Sequence, residues 1–147
     1  HIRGTCHRAT LTLGDGIRTS AETWIRLGEN DTNVFIGDNC TFSWGTVIWN
    51  TDGHSLFLPE DTHPFNIGRK LHIGHHVWLG MDVHILKNAY LPDHTIVGMG
   101  AIVAGHFQEP YCVLAGNPAK VIRRGVRWAL PPPNDFQSIN AWRLSGD

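Results

Sequence analysis

Residues 67–108 read IGRKLH-IGHHVW-LGMDVH-ILKNAY-LPDHTI-VGMGAI-VAGHFQ, seven hexads in one unbroken register. The first position of every hexad is aliphatic, and these positions are Ile67, Ile73, Leu79, Ile85, Leu91, Val97 and Val103. An amphipathic helix would show a period of 3.6 residues, and a half-buried strand would show a period of 2. A period of six predicts short strands that turn a corner every six residues, so that three corners close one coil.

Coils of this kind stack into a parallel β-helix, in which the strands of successive coils lie about 4.8 Å apart. Aliphatic residues of successive coils then lie above one another and fill a thin core. We predict one column that contains Ile67, Ile85 and Val103, and a second column that contains Ile73 and Leu91. The six-residue period does not determine whether the coil is left-handed or right-handed.

The register already holds from Ile36 and breaks once, at His54, where the next aliphatic residue is expected. The residues that follow, SLFLPEDTHPFN at 55–66, are polar and contain two prolines, which predicts a loop that leaves a corner. Long loops on a rigid scaffold often carry function. We therefore expect a β-helix domain over residues 1–130, with the loop inserted at 55–66, and a C-terminal tail over residues 131–147.

Composition excludes several classes of function. The chain has 147 residues and a formal net charge of -1, so its bulk charge does not indicate a surface for nucleic acid or anionic membranes. No stretch approaches the roughly 20 apolar residues of a membrane span. Three cysteines, Cys6, Cys40 and Cys112, cannot all pair with one another, and Cys40 falls at a hexad position that favours a buried free thiol. We therefore expect a cytoplasmic protein.

The hexads, the loop that opens at His54 and the closing GNPAKVIRR at 116–124 together resemble the hexapeptide-repeat acyltransferases of the galactoside, maltose and xenobiotic acetyltransferase type. The DGHS sequence of the loop is more similar to that of the polysaccharide O-acetyltransferases. The resemblance covers residues 36–124. It implies a left-handed parallel β-helix, a homotrimer with active sites at the subunit junctions, and acetyl transfer from acetyl-CoA to a hydroxyl or an amine.

The resemblance assigns the role of general base to His54, because the family carries a Gly-His pair at this place. The chemistry needs such a residue, since a sugar hydroxyl is a weak nucleophile at neutral pH. An imidazole that removes the hydroxyl proton contributes about 10²–10⁴-fold to the rate. Transfer would be direct, in a ternary complex, without a covalent enzyme intermediate. The alternative is a loop histidine that caps a turn through Asp52 or Ser55.

The same resemblance assigns residues to the two substrates. By motif position, it places backbone and phosphate contacts with CoA at Met81, Met99, Ala104, Gly105, Lys120 and Arg123. The alternative for the two basic residues is a solvated basic strip.

On the acceptor side the candidates are Asp31, Asp52 and Trp49. The spacing of Asp31 to the IGDN hexad matches an acceptor-contacting Asp of the galactoside enzymes. Asp52 either orients His54, contacts the acceptor or closes a turn before Gly53. Trp49 occupies an outward position, which suits either a sugar ring or an interface between subunits.

Other functions stay open. The γ-type carbonic anhydrases share this fold, and four histidines crowd one stretch, namely His72, His75, His76 and His84. Zinc needs three convergent ligands, whereas His72, His76 and His84 fall at the sixth, fourth and sixth hexad positions and so point from different parts of the coils. A non-catalytic β-helix scaffold would explain the hexads, but it would explain neither the closing motif nor the loop. An N-acetyltransferase that acts on an amino sugar would differ from an O-acetyltransferase only in its acceptor. We expect an acetyl-CoA-dependent O-acetyltransferase of a sugar or glycan hydroxyl that uses no metal.

Overall fold

The computed structural model describes residues 1–145, which form short strands and one C-terminal helix, α1, at Phe136–Ser145. Residues 146–147 of the predicted tail lie outside the described residues. The strands are β1 Ile2–Gly4, β2 Thr10–Leu13, β3 Arg18–Thr19, β4 Trp24–Leu27, β5 Asn33–Ile36, β6 Thr41–Phe42, β7 Val47–Trp49, β8 Lys70–Ile73, β9 Trp78–Leu79, β10 His84–Leu86, β11 Tyr90–Leu91, β12 Ile96–Val97, β13 Ile102–Val103, β14 Cys112–Ala115 and β15 Lys120–Arg124.

These strands pair in three sheets, each built from strands of successive coils. The first sheet has the order β1-β4-β7-β10-β13, the second has the order β11-β8-β5-β2, and the third has the order β15-β14-β12-β9-β6-β3. Among the strands of residues 1–145, β15 alone runs antiparallel to its neighbour, because it folds back on β14. The predicted parallel β-helix with a short C-terminal extension is therefore confirmed.

Each sheet buries at least one column of aliphatic or aromatic side chains between the three walls. In the second sheet Ile73 lies beside Leu91, and in the first sheet Ile85 lies beside Val103, as the hexads predict. Complete burial of such a side chain contributes about 1.5–3 kcal/mol to folding. The fully buried members of the columns include Ile36, Phe42, Ile48, Leu79 and Leu114.

Ile67 does not join the column that the sequence predicts for it. Its side chain is 53% exposed, and Ile48 is the neighbour of Ile85 on the side predicted for Ile67. The strands β7 and β8 therefore form successive sides of the coil, in the first and second sheets, and residues 50–69 connect them across the corner. The loop is longer than the predicted 55–66, because the first hexad of the run is part of it up to Arg69.

The corners place several hexad residues, most of them at the fourth position, in a left-handed backbone conformation. At the corner between the second and third sheets, Asn39, His76, His94 and Tyr111 lie on successive coils with φ between 53° and 59°. Residues with a Cβ rarely adopt this left-handed backbone conformation, and Asn, Asp and His adopt it more readily than most other residues. The histidines of the HH and DH pairs are thus part of the turns.

The C-terminal segment returns to the β-helix at this corner. Trp128 donates from Nε1 to the carbonyl oxygen of His76 at 2.9 Å, and the ring of Trp142 in α1 lies 5.7 Å from the His76 ring. The segment therefore packs against the coils. Within residues 1–145 we find no helix that has the length and apolar character of a membrane span.

Candidate active site

The loop over residues 50–69 and the first coils line a cavity of about 560 Å³ that is open to solvent. Small-molecule sites commonly have volumes of roughly 300–1,000 Å³. The first coils contribute Thr5, His7, Gly28, Glu29 and Asn30 to its wall, and the loop contributes Thr51, Gly53, His54, Ser55, Pro64, Asn66 and Ile67. The break in the hexad register thus places His54 on the wall of a cavity of substrate size.

A tight turn at the base of the loop positions His54. The hydroxyl oxygen of Thr51 accepts a hydrogen bond from the Gly53 amide at 2.9 Å, and Gly53 has a φ of 79°, which suits glycine. Thr51 is buried and lies against Gly28, where a Cβ would approach its methyl group to 2.5 Å. The turn is therefore fixed to the coil beneath it.

Asp52 does not line the cavity, and its carboxylate contacts a residue of the coil above. Its carboxylate accepts a hydrogen bond from Asn66 Nδ2 at 2.8 Å and contacts the ammonium group of Lys87. Desolvation raises the pKa of Asp52, but the hydrogen bonds from Lys87 and Asn66 and the charge of Lys87 outweigh it and lower the pKa overall. The carboxylate is therefore ionised at neutral pH and is bound to these two residues, so a role in orienting His54 stays a prediction.

The other two acceptor candidates lie outside the cavity wall. Asp31 forms an exposed ion pair with Arg8, whose Nε and Nη2 lie 2.6 and 2.8 Å from the carboxylate oxygens. Trp49 ends β7 directly before the loop and stacks under the guanidinium of Arg26, 4.8 Å from the ring centre. Each lies one or two positions from a residue of the wall, and a contact with the acceptor remains a prediction for both.

The predicted CoA contacts fall on two corners of the β-helix. Met81 and Met99 are exposed on successive coils at the corner between the third and first sheets, where the amide of Gly100 bonds to the Met81 carbonyl oxygen at 2.8 Å. Ala104 and Gly105 follow β13 at the corner between the first and second sheets, from which the loop leaves.

The two basic candidates lie in β15, on the third sheet. Lys120 is paired with Ala115, near the methionine corner, and Arg123 is paired with Val113. Both side chains are exposed, whereas the neighbouring Arg124 forms an ion pair with Glu109 at 2.7 Å. On one chain the six residues do not form a single pocket.

The histidine-rich stretch is spread over separate surfaces. His72 is stacked between Phe35 and Tyr90 on the second sheet, with ring centres 4.8 and 4.5 Å away, and burial lowers its pKa. His76 approaches His94 at the corner, with 3.1 Å between their Nδ1 atoms. Among residues 1–145 no three His, Cys, Asp or Glu side chains are grouped so that they could hold a metal ion.

Known proteins are similar to this chain both in sequence and in fold. The chain is 36% identical over 121 residues to a polysialic acid O-acetyltransferase of Neisseria meningitidis, an alignment that covers 82% of this chain and 53% of that protein. It superposes on the crystal structure of a polysialic acid O-acetyltransferase with a TM-score of 0.73 at 29% identity, covering 95% of this chain and 75% of that one. The chain belongs to the hexapeptide-repeat acyltransferase family.

Other comparisons agree with this membership. A galactoside acetyltransferase in complex with coenzyme A matches this hexapeptide-repeat acyltransferase chain with a TM-score of 0.54 at 25% identity, covering 77% of this chain and 64% of that one. A mirror-image coil would not superpose on these structures, and the predicted left-handed sense is confirmed. No family model matches the chain. The chain spans about half the length of most curated relatives it matches, 53% for the Neisseria protein.

Sequence reasoning missed the residues that hold the loop of this chain in place. Lys87 and Asn66 bind Asp52, and Glu29 accepts a hydrogen bond from the Gly68 amide at 2.6 Å. The signal for Lys87 lies in the strand register: Leu86 pairs with Trp49, so Lys87 follows on the coil directly above the start of the loop. The hexad pattern predicts this position of Lys87 only when the length of the inserted loop is also known.

Proposed function

We propose that the chain carries the active site of an acetyl-CoA-dependent O-acetyltransferase that acts on a glycan hydroxyl. The observation that carries this proposal is the position of His54 on the wall of a cavity of about 560 Å³, beside the first coils. The similarity to the polysialic acid O-acetyltransferase of Neisseria meningitidis supports both the reaction and the class of acceptor.

His54 supplies the proton transfers of this reaction. Its neutral imidazole accepts the proton of the acceptor hydroxyl while the hydroxyl oxygen bonds to the carbonyl carbon of the acetyl thioester. The carbon–sulfur bond then breaks, and the imidazolium returns the proton to the sulfur, which yields the acetyl ester and the CoA thiol. General base catalysis of this kind contributes about 10²–10⁴-fold. Burial raises the pKa of Cys40 to about 11, so this thiol is a poor candidate for a competing nucleophile.

Acetyl-CoA fits the exposed surface that the methionine corner and β15 form together. Met81 and Met99 offer apolar contact to the adenine or pantetheine chain, and Lys120 and Arg123 offer cations to the phosphates. The open glycines Gly100 and Gly105 let a ligand approach the backbone, since a Cβ at either would meet no atom within 4 Å. The complex of a galactoside acetyltransferase with coenzyme A supports the same donor.

The thermal midpoint of the protein with and without acetyl-CoA tests this proposal. Acetyl-CoA at about 100 times its Kd adds roughly 2.7 kcal/mol of stability, which raises the midpoint by several degrees. Transfer of a radiolabelled acetyl group to polysialic acid, used as the probe acceptor, tests the reaction itself. Absence of both a shift and transfer at millimolar acetyl-CoA would contradict the proposal.

The double variant Lys120→Ala, Arg123→Ala is expected to lose affinity for CoA because charged contacts to phosphate are removed. We expect the loss of affinity to be about 10-fold or more for CoA and clearly smaller for 3′-dephospho-CoA, measured by isothermal titration. Arg124→Ala, at the ion pair with Glu109, serves as the matched control on the same strand. Equal losses for the two ligands would argue against contact with the 3′-phosphate.

A homotrimer is the proposed assembly. The two predicted parts of the CoA site lie on different corners of one chain, so neighbouring copies would bring them together. Trp44, Met81 and Met99 form an exposed apolar ridge on successive coils, which suits contact with another copy. Sedimentation equilibrium is expected to give the mass of three chains, and the mass of a single chain would contradict a shared site.

The cytoplasm is the proposed location. Cys6, Cys40 and Cys112 are all free thiols, which is the usual state in a reducing compartment. Acetyl-CoA as donor agrees with the same compartment.

A further inference from the structure

One amide side chain joins both arms of the loop over residues 50–69. Asn66 donates from Nδ2 to the carboxylate of Asp52 at 2.8 Å and to the carbonyl oxygen of His54 at 2.9 Å. Its Oδ1 accepts a hydrogen bond from the Leu56 amide at 2.8 Å. The returning arm therefore binds the outgoing arm on both sides of His54 and at His54 itself.

Lys87 connects this pair of arms to the β-helix. It follows β10 on the coil above the start of the loop, and its ammonium group contacts the Asp52 carboxylate and the carbonyl oxygen of Asn66. The side chain of Lys87 is 17% exposed and that of Asp52 is 39% exposed. A pair that is partly withdrawn from water is screened less by salt than a fully exposed pair.

We infer that Lys87 and Asn66 are positioning residues for His54, and that with Asp52 they form a clamp that holds the loop in the geometry needed for proton transfer. This inference rests on the proposed function and adds two residues to it. The term "clamp" below denotes Lys87, Asp52 and Asn66.

The contacts show how the clamp acts on the proton-transfer step. The imidazole of His54 extends from a backbone whose carbonyl is held by Asn66, and the preceding turn is held by Thr51. A misplacement of about 1 Å from a mutation away from the reacting atoms can lower a rate by about 10²-fold. The contacts with Lys87 and Asn66 lower the pKa of Asp52, so their contribution to stability is lost as the pH falls through that pKa and the carboxylate becomes protonated.

Substitution of Lys87 provides the test, with two readouts. Lys87→Met removes the cation and keeps most of the length, Lys87→Arg keeps the charge, and Glu60→Gln is a control at an exposed position of the same loop. Hydrogen exchange of the amides at 53–56 is measured by mass spectrometry. The values of kcat and KM are measured with acetyl-CoA and polysialic acid.

We expect Lys87→Met to speed exchange in this segment about 10-fold and to lower kcat about 10-fold, with KM for acetyl-CoA unchanged. Lys87→Arg is expected to restore most of both values, and Glu60→Gln to change neither. Asn66→Ala is expected to reproduce the Lys87→Met result, and it serves as a second variant if the first folds poorly.

Three outcomes would overturn the inference. Unchanged exchange at 53–56 in Lys87→Met and Asn66→Ala would contradict the clamp. Faster exchange with unchanged kcat would contradict the positioning role. Absence of acetyl transfer by the unsubstituted protein would overturn the proposed function, and with it the positioning role, while the exchange rates would still decide whether the clamp exists.

Discussion

His54→Ala is expected to lower kcat for acetyl transfer by about 100-fold or more, because the acceptor hydroxyl loses the group that removes its proton. The affinity for acetyl-CoA should stay within about twofold, since the proposed donor contacts lie on corners outside the cavity wall. Steady-state kinetics with acetyl-CoA and polysialic acid, together with isothermal titration of CoA, measure the two quantities separately.

His63→Ala is the matched control for this prediction. His63 is an exposed histidine of the same loop, and its Nδ1 lies 3.1 Å from the hydroxyl of its neighbour Thr62. It does not line the cavity, so we expect its substitution to change kcat by less than about twofold. A kcat of His54→Ala equal to that of the unsubstituted protein would remove the general base from the proposal. A large loss in His63→Ala would show that the loop as a whole, rather than His54, governs the rate.

Ile85→Ala is expected to destabilise the protein by about 2–5 kcal/mol, because it opens a cavity in the middle of the first-sheet column. Ile85 is fully buried and is paired with Ile48 on one side and Val103 on the other, so the coil has little room to collapse around the smaller side chain. Urea unfolding at a fixed protein concentration, followed by circular dichroism, measures the free energy of unfolding.

Ile67→Ala makes the same chemical change at the residue that the hexads predict for the same column. Because Ile67 is largely exposed in the loop, we expect it to change the free energy of unfolding by no more than about 0.5 kcal/mol. Equal losses in Ile67→Ala and Ile85→Ala would support the column of the sequence prediction and contradict the strand register described above.

This pair of residues also shows how far the sequence predicts the fold. From Ile73 onward, the first position of every hexad is a buried column residue, because each side of the coil has six residues and places its first position toward the core. Ile67 satisfies the same local pattern, yet it precedes the corner at which the coil resumes. The period describes single coils and contains no information on the length of an inserted loop, so only the pairing of Ile48 with Ile85 reveals the error.

The candidate site was also predictable only in part from the sequence. The break in the register and the Gly-His pair of the resembled family predicted His54 as a candidate, and the structure places it on the wall of the cavity. Lys87 and Asn66 were not identified, since their contacts depend on how the loop returns and not on any local pattern. Asp52 was recognised as a candidate, but its partners in the structure are these two residues.

The path of the loop separates the part of the chain that determines stability from the part that carries the proposed acceptor site. β7 pairs directly with β10 on the next coil, so the wall of the first sheet is continuous whether the excursion between β7 and β8 is long or short. Replacement of residues 57–65, which lie beyond His54 and its contacts with Asn66, would leave every column of the core in register. Under the proposed function, a lineage built on this coil can therefore change the loop side of the acceptor cavity by exchanging a single surface segment, while its coils, corners and proposed donor surface stay unchanged.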